Sequence, residues 1–398
     1  MLVRVTYYTL TVLISGALCF IVGRIAHLSA TGIVAFTVAL SCYLLLTRPL
    51  EADPATLSAT LETIRAQYKL PALAGAIFTT DGLVESAAVG VRRTGADPLV
   101  TANDLWHLGS DTKMMTAVLA GTFVVEKKLA WDAKVLSFFP ELAATAPEAM
   151  RNITVSQVLS HRAGLIENLD WRALSQTGSL PQQRHAAALQ ALAQPAYAPG
   201  TYHYANTNYV VIGAILEKIS GQPWEDLMRQ RIFTPLGMTS AGFGGTGTIG
   251  EIDQPWPHFE NGSPAPDNGP LTDNAEVMGP AGTVHCSMAD WSKFLIDQLR
   301  GAAGLPAHFP AEIYTAMQTP ATPGADYAYG WIVVQRPWAG GKALTHSGSN
   351  TMNFCLCWLA PAKKFGLLVC TNQGGQKIFP ACDAAAGALI ERYQQRSP

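Results

Sequence analysis

Leu108-Gly109-Ser110-Asp111-Thr112-Lys113 puts a hydroxyl and an amine three residues apart at the head of an apolar run containing Met114, Met115, Val118, Leu119, Phe123 and Val124. On a helix, residues i and i+3 share a face about one turn apart. The Lys113 amine can then sit beside the Ser110 oxygen and take its proton, and burial lowers a lysine's pKa toward the range that task needs. A helix N-terminus adds N–H groups and partial positive charge where an oxyanion would form. The same residues also fit an ordinary helix start, with Ser110 as cap and Lys113 in solvent. The pair needs partners before it signifies chemistry.

Two further stretches offer them. In Tyr204-Ala205-Asn206, before a helix starting near Thr207, a phenol could relay a proton and an amide could hold the lysine or a substrate carbonyl. A plain turn capped by Asn206 is the alternative. In His346-Ser347-Gly348-Ser349, Gly348 would let a ligand lie along a strand edge. The Ser349 and Ser110 amides could form a two-donor oxyanion hole, and His346 would line the substrate side. The alternative is a glycine turn with a surface histidine.

Other signals are rejected. Gly242-Phe243-Gly244-Gly245-Thr246-Gly247 matches G-x-G-x-x-G, but that fingerprint must follow a strand and open a helix. Here it runs into a Pro-rich loop. There is no Cys-x-x-Cys, no His-Glu-x-x-His and no G-x-S-x-G elbow, so neither a metal site nor an elbow-borne triad is expected. No metal or organic cofactor is expected. His161 reads as a structural hydrogen-bonder.

The elements that must position these residues follow from periodicity. A helix is expected over 56–68, strands over 72–79 and 83–91 with an Asp81-Gly82 turn, then the Ser110 helix to about residue 128. From 129 to 301 the chain reads as mostly helical, with helices over 155–160, 209–219, 224–232 and 288–299. A long Pro/Gly/Asn/Asp loop covers 253–279. Strands return over 329–334, 343–346, 353–359 and 365–371, and a helix over 384–393 closes the chain. Strands at both ends around a helical block imply an α+β fold: one antiparallel sheet drawn from both chain ends, flanked by helices, with a mostly helical lobe inserted. The globular region is expected over 51–398, with 51–128 and 302–398 as the α/β lobe and 129–301 as the helical lobe.

The chain has 398 residues, 48% hydrophobic and 14% charged. Residues 5–23 and 28–46 are two uncharged apolar runs of 19 residues each, long enough to span a bilayer as helices. They read as one or two retained transmembrane segments, making residues 1–50 a membrane anchor. Arg4, Arg24 and Arg48 nearly balance across the flanks and leave orientation open. No basic stripe points to nucleic acid. Cys355 and Cys370 fall on neighbouring expected strands and could pair, although buried free thiols fit them better.

Ser-x-x-Lys, Tyr-Ala-Asn and His-x-Gly in this order resemble the serine β-lactamase and penicillin-binding superfamily, nearest its class C and D-Ala-D-Ala peptidase/esterase branch. The similarity runs from about residue 56 to 393. It includes Leu159-Ser160-His161-Arg162-Ala163-Gly164-Leu165, Pro235-Leu236-Gly237-Met238 and Gly279-Pro280-Ala281-Gly282. The resemblance implies a β-lactamase/transpeptidase-like fold and an acyl-enzyme mechanism. Ser110 would be the nucleophile, with Lys113 and Tyr204 handling its proton, Asn206 orienting lysine or substrate, and the Ser110 and Ser349 amides holding the oxyanion. The substrate would be a small molecule or peptide: ester, amide, β-lactam or D-amino-acid peptide. A non-catalytic penicillin-binding or peptidoglycan-sensing protein would use the same cleft. Class C enzymes carry lysine where this chain has His346, which disfavours β-lactam hydrolysis. By analogy the catalytic region would lie outside a bacterial cytoplasmic membrane, in the periplasm or beyond.

Overall fold

The computed structural model describes residues 56–176 and 178–396. The expected membrane segments lie outside them. No helix among the described residues is long and apolar enough to cross a membrane.

The chain enters with α1 (Leu57–Tyr68), whose N-terminus is capped by the Thr56 hydroxyl accepting the Ala59 N–H at 3.2 Å. A hairpin follows, β1 (Ala72–Thr79) and β2 (Gly82–Gly90). After the short β3 (Leu105–His107), Gly109–Asp111 make one 3₁₀ turn that leads into α2 (Thr112–Val125). The middle of the chain carries α3 (Val155–Leu159), α4 (Leu180–Ala193), α5 (Asn206–Ser220), β4 (Gly242–Phe243), β5 (Val284–Ser287) and α6 (Met288–Ala302). Strands β6 (Ile332–Arg336), β7 (Gly341–Ser349), β8 (Phe354–Ala360) and β9 (Phe365–Thr371) come next, and α7 (Phe379–Arg396) ends the described chain.

The main sheet is six-stranded in the order β2-β1-β9-β8-β7-β6, antiparallel throughout. Side chains alternate across a strand, and both faces of this sheet are covered. On β1, Ala72, Ala74, Ala76 and Phe78 join the core shared with the helical block, while Leu73 and Ile77 pack under α1 and α7. β8 and β9 divide the same way: Cys355, Cys357, Leu368 and Cys370 on the inner side, Leu356, Leu367 and Val369 on the outer. Two-sided burial explains why these strands read as continuous apolar runs. Cys355 and Cys370 face each other across β8 and β9, and both are buried free thiols.

Most expected elements lie within a few residues of those found. α6, which a boundary at 301 assigns to the helical block, packs on β1, β2 and β9. A second sheet, β3-β5-β4, was not foreseen: strands of two to four residues are too short to show a period. The glycine motif at 242–247 supplies β4 and opens no helix.

Candidate active site

Helix α2 is buried on nearly every side, Lys113 included, at 0% exposure. A helix so enclosed runs through the core rather than along the surface. Its first turn therefore carries the lysine amine inward rather than into solvent. Nζ lies 2.9 Å from Ser110 Oγ, 2.8 Å from Asn206 Oδ1 and 2.7 Å from the Ala281 carbonyl. The last two partners can only accept. A neutral amine has two hydrogens, and they are taken by Asn206 and Ala281; its lone pair is left for Ser110. Burial pushes the Lys113 amine well below its ordinary range, opposed by the charge of Asp111.

Asn206 reaches Lys113 because the start of α5 is pinned to a neighbouring segment. The backbone N–H of Asn206 donates to the Glu167 carbonyl at 2.9 Å, and Asn206 Nδ2 donates to Asn168 Oδ1 at 2.9 Å. That second bond fixes which way the amide points. Tyr204 stands two residues earlier, its ring centroid 4.9 Å from Lys113 Nζ and 4.3 Å from the His161 ring. Burial raises the phenol's pKa, and the Ser110 hydroxyl partly reverses that.

β7 closes the other side. A Cβ placed on Gly348 would lie 1.9 Å from the Leu108 carbonyl oxygen and 2.6 Å from the Ser110 nitrogen. One on Gly109, whose φ is +51°, would lie 2.3 Å from the Ser349 nitrogen. Only two glycines let the strand and the nucleophile turn approach this closely. The approach sets the Ser110 and Ser349 backbones side by side, the spacing an oxyanion site built from their amides would need.

His346, expected to line the substrate side, is buried at 3% side-chain exposure and bonded at both ring nitrogens. Nδ1 lies 2.8 Å from Asp111 Oδ1 and Nε2 lies 3.3 Å from the Tyr327 hydroxyl. Burial raises the Asp111 carboxyl, opposed first by its hydrogen bond to His346. Tyr327 also meets His161 Nε2 at 3.2 Å, and His161 Nδ1 accepts the Ala205 N–H at 3.1 Å. Burial keeps His161 well below the usual histidine range.

Several site neighbours escaped the sequence reading. Asp111 was assigned no part, and Tyr327 lies in no motif. The loop 253–279 also contributes: Asp273 Oδ1 accepts from Asn350 Nδ2 and from the Asn274 N–H, both at 2.7 Å, and sits 2.9 Å from His107 Nε2. His107 Nδ1 in turn accepts the Gly109 N–H at 3.1 Å. The ring N–H of His107 is poorly aligned on Asp273 despite that spacing, so the contact falls short of a well-formed hydrogen bond. Only a spatial view links residues 107, 273 and 350.

A serine backed by a buried amine and beside a phenol, on this α+β scaffold, is an arrangement that serine hydrolases use. A sequence profile of the Beta-lactamase family matches residues 57–389, and the chain belongs to that family. It is 25% identical over 333 residues to penicillin-binding protein 4 of Amycolatopsis lactamdurans, covering 80% of this chain and 85% of that one. It is 26% identical over 264 residues to the unguisins hydrolase ungD' of Aspergillus campestris, covering 63% of this chain but only 49% of that longer protein. Among solved structures, the octameric penicillin-binding protein homologue from Pyrococcus abyssi superposes with a TM-score of 0.67 at 24% identity, covering 84% of this chain and 77% of that one.

Proposed function

We propose that the protein hydrolyses an ester or amide through an acyl-enzyme on Ser110. The observation that carries this is the placement of Lys113 Nζ, with two of its three close partners able only to accept and the third being Ser110 Oγ. Lys113 takes the Ser110 proton as Oγ bonds to the substrate carbonyl carbon. The carbonyl oxygen becomes an oxyanion between the Ser110 and Ser349 amides. As the intermediate collapses, the bond to the leaving group breaks; the Tyr204 hydroxyl gives that group a proton and takes the one Lys113 had accepted, which leaves both neutral again. Water then attacks the acyl-serine along the reverse path, releasing a carboxylic acid and restoring Ser110. Asn206 keeps the lysine amine in place.

The same reading puts the catalytic region on the outer side of a membrane, tethered by the apolar runs at 5–23 and 28–46. Those runs and the analogy to envelope enzymes support it. A pre-steady-state trace with a p-nitrophenyl ester tests the chemistry. A burst of nitrophenolate equal to the enzyme concentration is expected, abolished in Ser110→Ala. Unchanged turnover in Ser110→Ala rules out this nucleophile.

A further inference from the structure

The Ser110 and Ser349 backbones belong to segments far apart in the chain, and a carboxylate from a third segment sits behind the place where they meet. Asp273, in the 253–279 loop, is buried, its side chain 6% exposed. Its Oδ1 takes all of its polar contacts: the Asn274 N–H at 2.7 Å, Asn350 Nδ2 at 2.7 Å, and His107 Nε2 at 2.9 Å but off the hydrogen-bond axis. Oδ2 has no hydrogen-bond partner. Burying a carboxylate with one oxygen bare costs stability, and the oxygen in use is the one that joins these segments.

Backbone donors fix how both partners face Asp273. Asn350 Oδ1 accepts the Asn353 N–H at 2.9 Å and the Met352 N–H at 3.3 Å, so Nδ2 is the atom turned toward the carboxylate. His107 Nδ1 accepts the Gly109 N–H at 3.1 Å, which leaves Nε2 on the Asp273 side. Gly109 precedes Ser110, and Asn350 follows Ser349. Ser349 Oγ also donates to the Asn353 carbonyl at 2.7 Å, so the 350–353 turn that Asp273 holds is the turn that anchors Ser349. The neighbouring Asn274 Nδ2 donates to the Gly282 carbonyl at 2.7 Å, one residue past the carbonyl that holds Lys113.

We propose that Asp273 is a positioning residue for acyl transfer: through Asn350 and, more weakly, His107, it sets the separation of the Ser110 and Ser349 amides. The 253–279 loop thereby acts on the reaction from behind the site, without touching substrate. This rests on Ser110 being the nucleophile and on those amides holding the oxyanion.

The test is steady-state hydrolysis of a p-nitrophenyl ester by the full-length protein. Rates are expressed per site counted by exhaustive fluorophosphonate labelling, so that misfolded protein drops out. Acylation and deacylation both pass through the oxyanion, so loosened amides slow both and leave KM, which carries their ratio, nearly unchanged. Asp273→Ala is expected to lower kcat at least about tenfold with KM within about twofold of wild type. Asp273→Asn keeps an acceptor oxygen for Asn350 and the Asn274 N–H and should recover most of that loss. Phenylboronic acid forms a tetrahedral adduct with serine that puts an oxygen where the oxyanion develops, and its affinity should fall in Asp273→Ala by about the factor that kcat does. Asn350→Ala cuts the stronger limb from the other end and should show the same split, which keeps the test decisive if Asp273→Ala does not fold. A kcat within about twofold of wild type in either alanine variant, or a raised KM with kcat unchanged, overturns the proposal. So does an Asp273→Asn enzyme as slow as Asp273→Ala. Each of these results leaves the hydrolase reading standing if the wild type labels on Ser110; a wild type that takes no label there overturns both.

Discussion

Gly348→Ala adds one carbon where two backbone segments press together. That carbon would sit 1.9 Å from the Leu108 carbonyl oxygen, 2.6 Å from the Ser110 nitrogen and 2.7 Å from the Asp111 nitrogen. All three are backbone atoms, so no side chain can swing away, and β7 and the 109–111 turn must separate by roughly an ångström. A misplacement of about 1 Å at a reacting centre can lower the rate roughly 100-fold, and losing one oxyanion donor lowers kcat by about 10²–10³. Overpacking adds about 1–3 kcal/mol of destabilisation. The assay is kcat on a p-nitrophenyl ester alongside a urea unfolding curve, so that lost activity can be separated from lost protein. The expectation is a kcat at least about 100-fold lower in protein that remains folded under assay conditions. A kcat within a few-fold of wild type would show that the Ser110 and Ser349 amides need not be held this tightly, and the oxyanion assignment would fall.

Lys113 acts as a base only when neutral, and burial sets its pKa well below the ordinary value, so kcat/KM should fall as pH drops through that lowered pKa. Asp111 is the group that pulls the Lys113 pKa up; Asp111→Asn should move this acidic limb to lower pH in a pH–rate profile, and a shift upward contradicts the electrostatics. Tyr327→Phe deletes the hydroxyl between His161 and His346 and strands two buried ring nitrogens, which predicts a loss of about 2–3 kcal/mol in a denaturant titration. Arg184 is fully buried between Glu217, at 2.6 Å, and Glu225, and also donates to the Val277 and Glu276 carbonyls. Arg184→Met should cost about 3–5 kcal/mol by leaving the buried Glu217 and the partly buried Glu225 without their cation, and a loss below about 1 kcal/mol would mean they are solvated.

The site and the sheet were legible to different depths. Strands β8 and β9 stood out because burial on both faces makes them uniformly apolar, and α5 because its apolar residues recur at helical spacing and Gly221 ends it in the left-handed conformation. Ser110, Lys113, Tyr204, Asn206, Gly348 and Ser349 were visible as short motifs at element ends, where local rules apply. Asp111 was hidden because an acid in a first helical turn has an ordinary explanation in the helix dipole. His346 was visible as a residue but its partners were not, since Tyr327 and Asp111 lie 19 and 235 positions away. The Asp273 contacts join three segments through a loop whose composition says only that it is irregular. Long-range polar contacts leave no period in a sequence, and they hold the walls of this cleft together.

The account stands on acyl transfer to one hydroxyl, and intact-protein mass spectrometry reads that directly. After brief incubation with an activated ester and acid quench, the protein should gain the mass of one acyl group, located by peptide mapping to Ser110 and missing from Ser110→Ala. An adduct that persists in Ser110→Ala, or that maps to another residue, would contradict the assignment of the nucleophile.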